Sequence, residues 1–270
     1  MLEASVLLQR DGHVAEITIN RPDALNALDV DALVLLRSHL IACRDDRDVR
    51  VIIVTGAGER AFCVGSDLKR SVPDERSYAE AMVLGDEQSV ATGNYVRYLM
   101  LHHLQLWKPL IAAVNGYCVG GGLELALQCD LRVASTQASF GLPEIKVGSF
   151  PGVGGVPMLL RKLPAAIAMK LMLTADRLDA RQALHYGLVS DVWEPADLLP
   201  EARRIAQRIA ANGPLAAAAL KRLAQDTEGL PLSAAYDLTE HFFGMLKNSQ
   251  DRIEGRRAFA EKRTPNFVGR

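Results

Sequence analysis

The chain reads NGYCVGGGLEL at residues 115–125, where a triple glycine precedes the carboxylate of Glu124 and an apolar helix. Glycines allow positive φ and a close approach of the backbone to a ligand, so their N–H groups can point outward at the start of the helix. Such a place suits a developing negative charge. A second carboxylate, Glu144, follows Pro143 further along the chain. If folding brings Glu124 and Glu144 together, two groups can move protons beside that charge, which predicts enolate chemistry.

The composition is that of an ordinary globular chain. Its 270 residues are 49% hydrophobic and carry a formal net charge of -1. This length predicts one large core, or a core with a smaller appendage, and the near-zero charge argues against a nucleic-acid partner. The N-terminus lacks a basic segment followed by an apolar run, and no uncharged stretch reaches the roughly 18 residues that a membrane helix needs. We therefore expect a soluble, cytoplasmic protein with no membrane partner.

The cysteines and histidines do not form a recognisable metal or disulfide pattern. The four cysteines contain no CxxC pair and have no histidine at ligand spacing: Cys43, Cys63, Cys118 and Cys129. A disulfide framework or zinc site is therefore not expected. The proposed chemistry needs no histidine and no metal.

Hydrophobic patterning predicts an α/β core followed by helices. Residues 6–19 alternate around Asp11-Gly12 as a β-hairpin, and a helix follows Asp29, a good N-cap residue. Short apolar runs at 51–55, 110–114 and 131–134 are typical of strands buried on both faces. Repeated strand, turn and helix units indicate an α/β fold. Four helices are predicted after about residue 200, at 201–211, 214–225, 232–247 and 252–262. Between Lys69 and Trp107 we predict a mobile loop and irregular helix that covers a ligand.

Four motifs occur in order along most of the chain: NRPDALNAL at 20–28, AFCVGSDLK at 61–69, the glycine stretch at 115–125, and FGLPE at 140–144. With the closing helix AFAEKR at 258–263, they resemble the enoyl-CoA hydratase/isomerase (crotonase) superfamily. The resemblance implies a spiral core of repeated ββα units with an acyl-CoA site over residues 1–200. It also implies a C-terminal helical trimerisation region over residues 201–270. The assembly would be a homotrimer or a dimer of trimers.

The resemblance also implies roles for four residues. The backbone N–H groups of Ser66 and Gly121 would hold the thioester carbonyl, and losing one such donor typically costs ~10²–10³ in rate. By position, Glu124 matches the carboxylate that activates water for addition at C3, and Glu144 matches the one that exchanges the proton at C2. Having both favours hydration, because relatives that only shift a double bond usually lack the first carboxylate. Like-charge repulsion is expected to raise the pKa of both glutamates.

Further residues are expected to bind the substrate or its coenzyme A part: Ala61, Cys63, Val64, Asp67, Leu68, Lys69, Gly120, Leu142, Phe150, Gly152, Phe243 and Lys262. The resemblance places Lys262 near the phosphates and Phe243 near the adenine. Asp67 is expected to order the loop behind the anion site. No cofactor is expected, since the coenzyme A thioester is itself the substrate.

Taken singly, these residues have plainer interpretations. Glu124 would simply complement the helix dipole, Glu144 would be a solvated turn residue, and the glycines a tight turn. In context they predict a hydro-lyase that reversibly hydrates a 2-enoyl-CoA to a 3-hydroxyacyl-CoA. The alternatives are a carnitinyl-CoA dehydratase-like enzyme, an enoyl-CoA isomerase, and an RNA- or protein-binding protein of the same fold. Leu142 and Phe150 would make the pocket more apolar, which leaves the acyl group open.

Overall fold

A computed structural model of the chain describes residues 4–69 and 95–270. The predicted loop and irregular helix, with the suggestion that they cover a ligand, fall mostly on residues 70–94. That part of the prediction lies outside the described residues.

The first hairpin opens a six-stranded sheet. Its strands are β1 (Val6–Asp11), β2 (Val14–Ile19), β3 (Val51–Gly56), β5 (Leu110–Val114), β7 (Leu131–Ser135) and β10 (Asp191–Trp193), in the spatial order β1-β2-β3-β5-β7-β10. Among the described strands of this sheet, β1 and β2 pair antiparallel and the other neighbours pair parallel. Every residue of β3 and β5 is buried, as the apolar runs predicted. Between β2 and β3 lies α1 (Val30–Asp45), whose N-cap Asp29 accepts a hydrogen bond from Ala32 N at 3.0 Å.

A second, smaller sheet lies beside the first. It contains β4 (Ala61–Cys63), β6 (Tyr117–Val119), β8 (Ser139–Gly141) and β9 (Leu178–Asp179), in that order. The first three run parallel to one another, and β9 is antiparallel to β8. β4, β6 and β8 each follow a strand of the large sheet, so β3-β4, β5-β6 and β7-β8 are successive turns of the predicted spiral. Because β4, β6 and β8 are parallel neighbours, their carboxyl ends meet at one edge.

Further helices of the described core lie between and after these strands. They are α2 (Tyr95–Leu99), α3 (Gly121–Leu127), α4 (Gly155–Lys162), α5 (Ala165–Thr174) and α6 (Ala180–His185). All seven residues of α3 are buried. Single 3-10 turns lie at Pro22–Ala24, His102–Leu104 and Glu144–Val147. Glu144 thus begins a short helical turn just after β8.

Four helices end the chain: α7 (Pro195–Ala210), α8 (Pro214–Asp226), α9 (Leu232–Leu246) and α10 (Gln250–Glu261). The predicted start of the first at residue 201 is wrong, because the helix begins at Pro195 and continues through Pro200. Its buried face packs on β3, β5 and β7, and this packing outweighs the cost of an internal proline. The predicted boundary at residue 200 therefore falls inside a helix that covers the large sheet.

Buried polar contacts fasten the C-terminal part to the core. Lys221 of α8 is 8% exposed and forms an ion pair with Asp130 at 2.8 Å. Arg50 donates to the carbonyls of Ala210 and Phe267 at 3.0 and 2.7 Å. In the part of the chain that is described, no helix has both the length and the apolarity to cross a bilayer.

Candidate active site

Two loops that follow β4 and β6 place a pair of N–H groups side by side. Gly65 has φ +87°, and a Cβ built on it would lie 2.8 Å from Gly121 N. Both the backbone angle and the close approach therefore require glycine at position 65. The N–H groups of Ser66 and Gly121 have no acceptor among the described residues. They are adjacent free donors, as an oxyanion site needs.

A network behind the first donor loop holds Ser66 in place. The N–H of Leu28 donates to Gly65 O at 2.8 Å, and the carbonyl of Leu28 accepts from Asp67 N at 3.0 Å. These two hydrogen bonds hold the residues on either side of Ser66. Arg21 forms ion pairs with Asp29 and Asp67, both at 2.8 Å, and its side chain is 11% exposed. The Asp67 carboxylate thus acts on the loop, which fits the ordering role expected for it.

Asn26 also holds the segment around β4 in place, a role that the sequence did not predict. It is fully buried, and its amide donates to Ala61 O at 2.6 Å and to Ala57 O at 3.0 Å. Its φ of 56° is in the left-handed region, which asparagine tolerates better than most residues. The motif at 20–28 contained this residue and Arg21. Their place inside a motif that also supplies the apolar residues Ala27 and Leu28 was the available signal.

Glu124 is a buried carboxyl group held by two backbone donors. It lies in the first turn of α3 and is 2% exposed. Its Oε1 accepts from Val153 N at 2.7 Å and from Gly155 N at 2.8 Å. A Cβ on Gly155 would lie 2.9 Å from the same oxygen. The N–H groups of the glycine-rich turn before α4 thus orient the Glu124 carboxyl group.

Glu144 lies beside the turn that precedes the second N–H donor. Its Oε1 lies 3.4 Å from the position that a Cβ on Gly120 would occupy. Its Oε2 is buried and has no hydrogen-bond partner among the described residues. Gly120 itself has φ +58°, so the backbone turns sharply between β6 and α3. The two predicted carboxyl groups are also close enough to interact, since the charge of Glu144 contributes to the raised pKa of Glu124.

Burial, more than repulsion, sets the acidity of the two glutamates. Loss of hydration raises the pKa of Glu124 to about 7 against the opposing effect of the Gly155 and Val153 hydrogen bonds, and the charge of Glu144 is the smallest of the causes. Burial is also what raises the pKa of Glu144. The predicted direction is right, but the predicted cause, like-charge repulsion, is secondary. Transfer from water disfavours the ionised form at each site separately.

Known proteins share this sequence and fold. A family model described as Enoyl-CoA hydratase/isomerase matches residues 9–270. An (E)-benzylidenesuccinyl-CoA hydratase from Thauera aromatica is 45% identical, covering 98% of this chain and 99% of the relative. A carnitinyl-CoA dehydratase from Escherichia coli (strain K12) is 40% identical over the whole of both chains. The structure of an enoyl-CoA hydratase from Bacillus anthracis superposes with a TM-score of 0.86 at 33% identity, covering 98% of this chain and 100% of that one.

The chain belongs to the enoyl-CoA hydratase/isomerase family. The predicted family, the α/β spiral fold and the hydro-lyase of enoyl-CoA hydratase type are confirmed. Hydratases of this family act on coenzyme A thioesters.

The other residues predicted to bind the substrate differ in how deeply they are buried. Ala61 and Cys63 are buried in β4, and burial raises the pKa of the Cys63 thiol to about 12. Val64 O lies 3.6 Å from the position of a Cβ on Gly120. Leu142 is 1% exposed and packs in the core, whereas Phe150 is 72% exposed.

The remaining predicted binding residues lie at the surface or in the C-terminal helices. Leu68 is 71% exposed, and Lys69 donates its N–H to Asp67 Oδ1 at 3.2 Å. The Arg252 guanidinium lies over the Phe243 ring, 4.8 Å from the ring centre. Lys262 is the C-cap residue of α10 and has φ 55°. The contacts described for Phe243 and Lys262 are with other residues of the C-terminal helices. Of these two lysines, Lys69 follows directly on a donor loop and Lys262 lies at the end of α10.

Two site contacts involve a segment in which the sequence showed no pattern. The hydroxyl of Tyr95 lies 2.1 Å from the position that a Cβ on Gly121 would occupy. Val96 Cγ2 lies 3.0 Å from the corresponding position on Gly152, a predicted binding residue. The first turn of α2 therefore covers both the second donor and the glycine-rich turn. No motif in residues 70–105 pointed to it.

Proposed function

We propose that this protein catalyses the reversible syn addition of water to a 2-enoyl-CoA, giving a 3-hydroxyacyl-CoA. One observation carries the proposal: two carboxyl groups with raised pKa values, the buried Glu124 and Glu144 with its buried Oε2, lie near a pair of backbone N–H groups that have no acceptor among the described residues. A site with a single carboxylate suits the shift of a double bond, but addition of water needs proton transfer at two places.

In the hydration direction, ionised Glu124 removes a proton from water as the water oxygen bonds to C3. The electrons of the double bond move to C2 and the thioester carbonyl, and the N–H groups of Ser66 and Gly121 stabilise the resulting enolate oxygen. Protonated Glu144 then delivers its proton to C2. Glu124 ends protonated and Glu144 ionised, so proton exchange with solvent restores the starting state. A pKa of about 7 leaves Glu124 ionised in about half of the molecules at neutral pH.

For the coenzyme A part, we propose that Lys69 and Lys262 bind its phosphates and that Phe243 contacts the adenine. Lys69 adjoins the Ser66 loop, which supports its role. Lys262 and Phe243 lie in the C-terminal helical region, which we propose assembles the chain into a trimer or a dimer of trimers.

The acyl group has two supported candidates. One is a simple 2-enoyl chain, as the name of the Bacillus anthracis structure implies for that protein. The other is a chain with a polar or charged substituent, because the 45% and 40% identical relatives are named for benzylidenesuccinyl-CoA and carnitinyl-CoA. Turnover rates across a panel with plain, carboxylated and trimethylammonium-bearing enoyl-CoA thioesters would separate them.

The activity is tested by following the loss of absorbance of crotonyl-CoA, a conjugated thioester. We expect kcat to fall about 10³-fold in Glu124→Gln and in Glu144→Gln, since each loses a proton-transfer group. Glu228→Gln is the control, because that exposed glutamate pairs with Arg161 at the surface. Full activity in both site variants would contradict the proposal. Formation of a conjugated thioester from a 3-enoyl-CoA, without hydrated product, would instead indicate an isomerase.

A further inference from the structure

Tyr95 presents a buried hydroxyl group that has no partner. Its ring packs against the hydrophobic core, while its oxygen is buried and has no hydrogen bond to any described residue. A phenol hydroxyl normally finds a partner when it is buried, because desolvation without a hydrogen bond is unfavourable. The missing partner indicates that a ligand atom belongs there.

The position of this hydroxyl is fixed by its neighbours. It lies directly against Gly121, the second N–H donor, where any side chain at position 121 would collide with it. It is also near enough to both glutamates for their charges to raise its pKa, although burial is the main cause. The phenol therefore keeps its proton at neutral pH and acts as a donor. Glu144 Oε2, also buried without a partner, is a second unsatisfied atom in the same site.

We propose that Tyr95 is a further substrate-binding residue, whose hydroxyl donates a hydrogen bond to the oxygen that is added to, or lost from, C3 of the acyl chain. This inference rests on the proposed hydration. The thioester oxygen already has two backbone donors, Ser66 and Gly121. The reacting water or 3-hydroxyl lies between the two carboxyl groups, Glu124 accepts its proton, and its own lone pairs need a donor. Tyr95 supplies that donor at the place where both carboxylates act.

Two unreactive thioesters separate the possible targets of the hydroxyl. Butyryl-CoA has a thioester carbonyl and no oxygen at C3, whereas acetoacetyl-CoA has an oxygen at C3. By titration calorimetry, we expect Tyr95→Phe to weaken acetoacetyl-CoA binding about tenfold and butyryl-CoA binding less than twofold. For crotonyl-CoA hydration we expect kcat/KM to fall about tenfold.

Tyr186→Phe is the matched control, because it removes the same atom from a partly buried tyrosine that packs on the same core at the end of α6. It should leave both affinities and the rate unchanged. Equal loss of affinity for the two thioesters in Tyr95→Phe would place the hydroxyl at the thioester oxygen and overturn the proposal. Unchanged affinities, or a lower melting temperature with an unchanged affinity ratio, would assign it a structural role. Failure of the wild-type protein to hydrate crotonyl-CoA while it binds both thioesters would instead count against the proposed reaction.

Discussion

At the scale of single residues, the environment of Glu124 explains how a carboxyl group can exchange a proton near neutral pH. Burial disfavours its charge, and the N–H groups of Val153 and Gly155 stabilise the charge in part. The balance leaves the pKa at about 7. A base with a pKa near the working pH is both available in its ionised form and able to accept a proton.

This environment predicts a pH-dependent cost in stability. The pKa of Glu124 is about 7 in the folded chain against 4.5 for a free group, so the folded state binds the proton more tightly. The stabilising contribution of this proton to the free energy of unfolding is fully present below pH 4.5 and is lost as the pH rises through 7. In Glu124→Gln this loss is absent. The free energy of unfolding of the variant, relative to wild type, should therefore rise by up to about 3 kcal/mol between pH 4.5 and pH 8.

Urea unfolding at a series of pH values and one protein concentration measures this difference. Glutamine keeps an oxygen that can accept from Val153 and Gly155, so the variant retains those contacts. The exposed Glu228→Gln serves as the comparison and should show no such trend. A difference between Glu124→Gln and wild type that does not change with pH would contradict the explanation.

At the scale of elements, the site is assembled by the ends of parallel strands. The loops after β4, β6 and β8 carry Ser66, Gly121 and Glu144 respectively. Because β4 pairs with β6 and β6 pairs with β8, neighbouring loops are separated by the distance between two hydrogen-bonded strands. Residues that lie far apart in sequence thus meet because each ββα turn ends at the same edge.

Gly65 tests how closely the two donor loops must approach. Gly65→Ala places a Cβ 2.8 Å from Gly121 N and should push the donors apart. We expect kcat for crotonyl-CoA hydration to fall about 10²-fold, comparable to the loss of one donor. Positive φ alone should reduce stability by about 1 kcal/mol.

Gly229→Ala separates these two effects. Gly229 has φ +83°, close to that of Gly65, but nothing lies within 4 Å of its Cβ position. It should lose similar stability in urea unfolding while its kcat stays at the wild-type value. If both variants kept full activity, the close approach of the loops would not be needed for catalysis.

At the scale of the whole molecule, the C-terminal helices present many apolar side chains to solvent. The large ones on α8 to α10 are Leu220, Leu232, Tyr236, Phe243, Met245, Ile253 and Phe259, and the last is 87% exposed. Exposed apolar surface of this kind is typical of contact sites between proteins. The feature supports the trimerisation region predicted for residues 201–270.

We expect sedimentation equilibrium to give a mass of three or six chains for the wild-type protein. Phe259→Glu should shift it toward one chain, because a buried unpaired charge is strongly unfavourable at an interface. Leu8→Glu on the edge strand β1 introduces the same charge outside the C-terminal helices and should not change the mass. A wild-type monomer would contradict the assembly itself.

The sequence by itself determined the fold and the family, and it supplied most of the residues in the proposed chemistry. Periodicity located the hairpin, α1 and the buried strands, because burial on one or both faces leaves a pattern of spacing in the chain. Ordered motifs identified Glu124, Glu144 and the two donor glycine loops, because each needs particular residue types at fixed local spacing.

Only the tertiary structure decided how those residues are held and how far each helix extends. Packing on the sheet carries α7 back to Pro195 through an internal proline. Burial, which depends on the whole fold, sets the pKa of both glutamates. Arg21, Asn26 and the N–H groups of Val153 and Gly155 reach the site across long sequence separations. Tyr95 does so from a segment without any motif. Local patterns record what each segment needs for itself, whereas contacts between distant segments exist only once the spiral has closed.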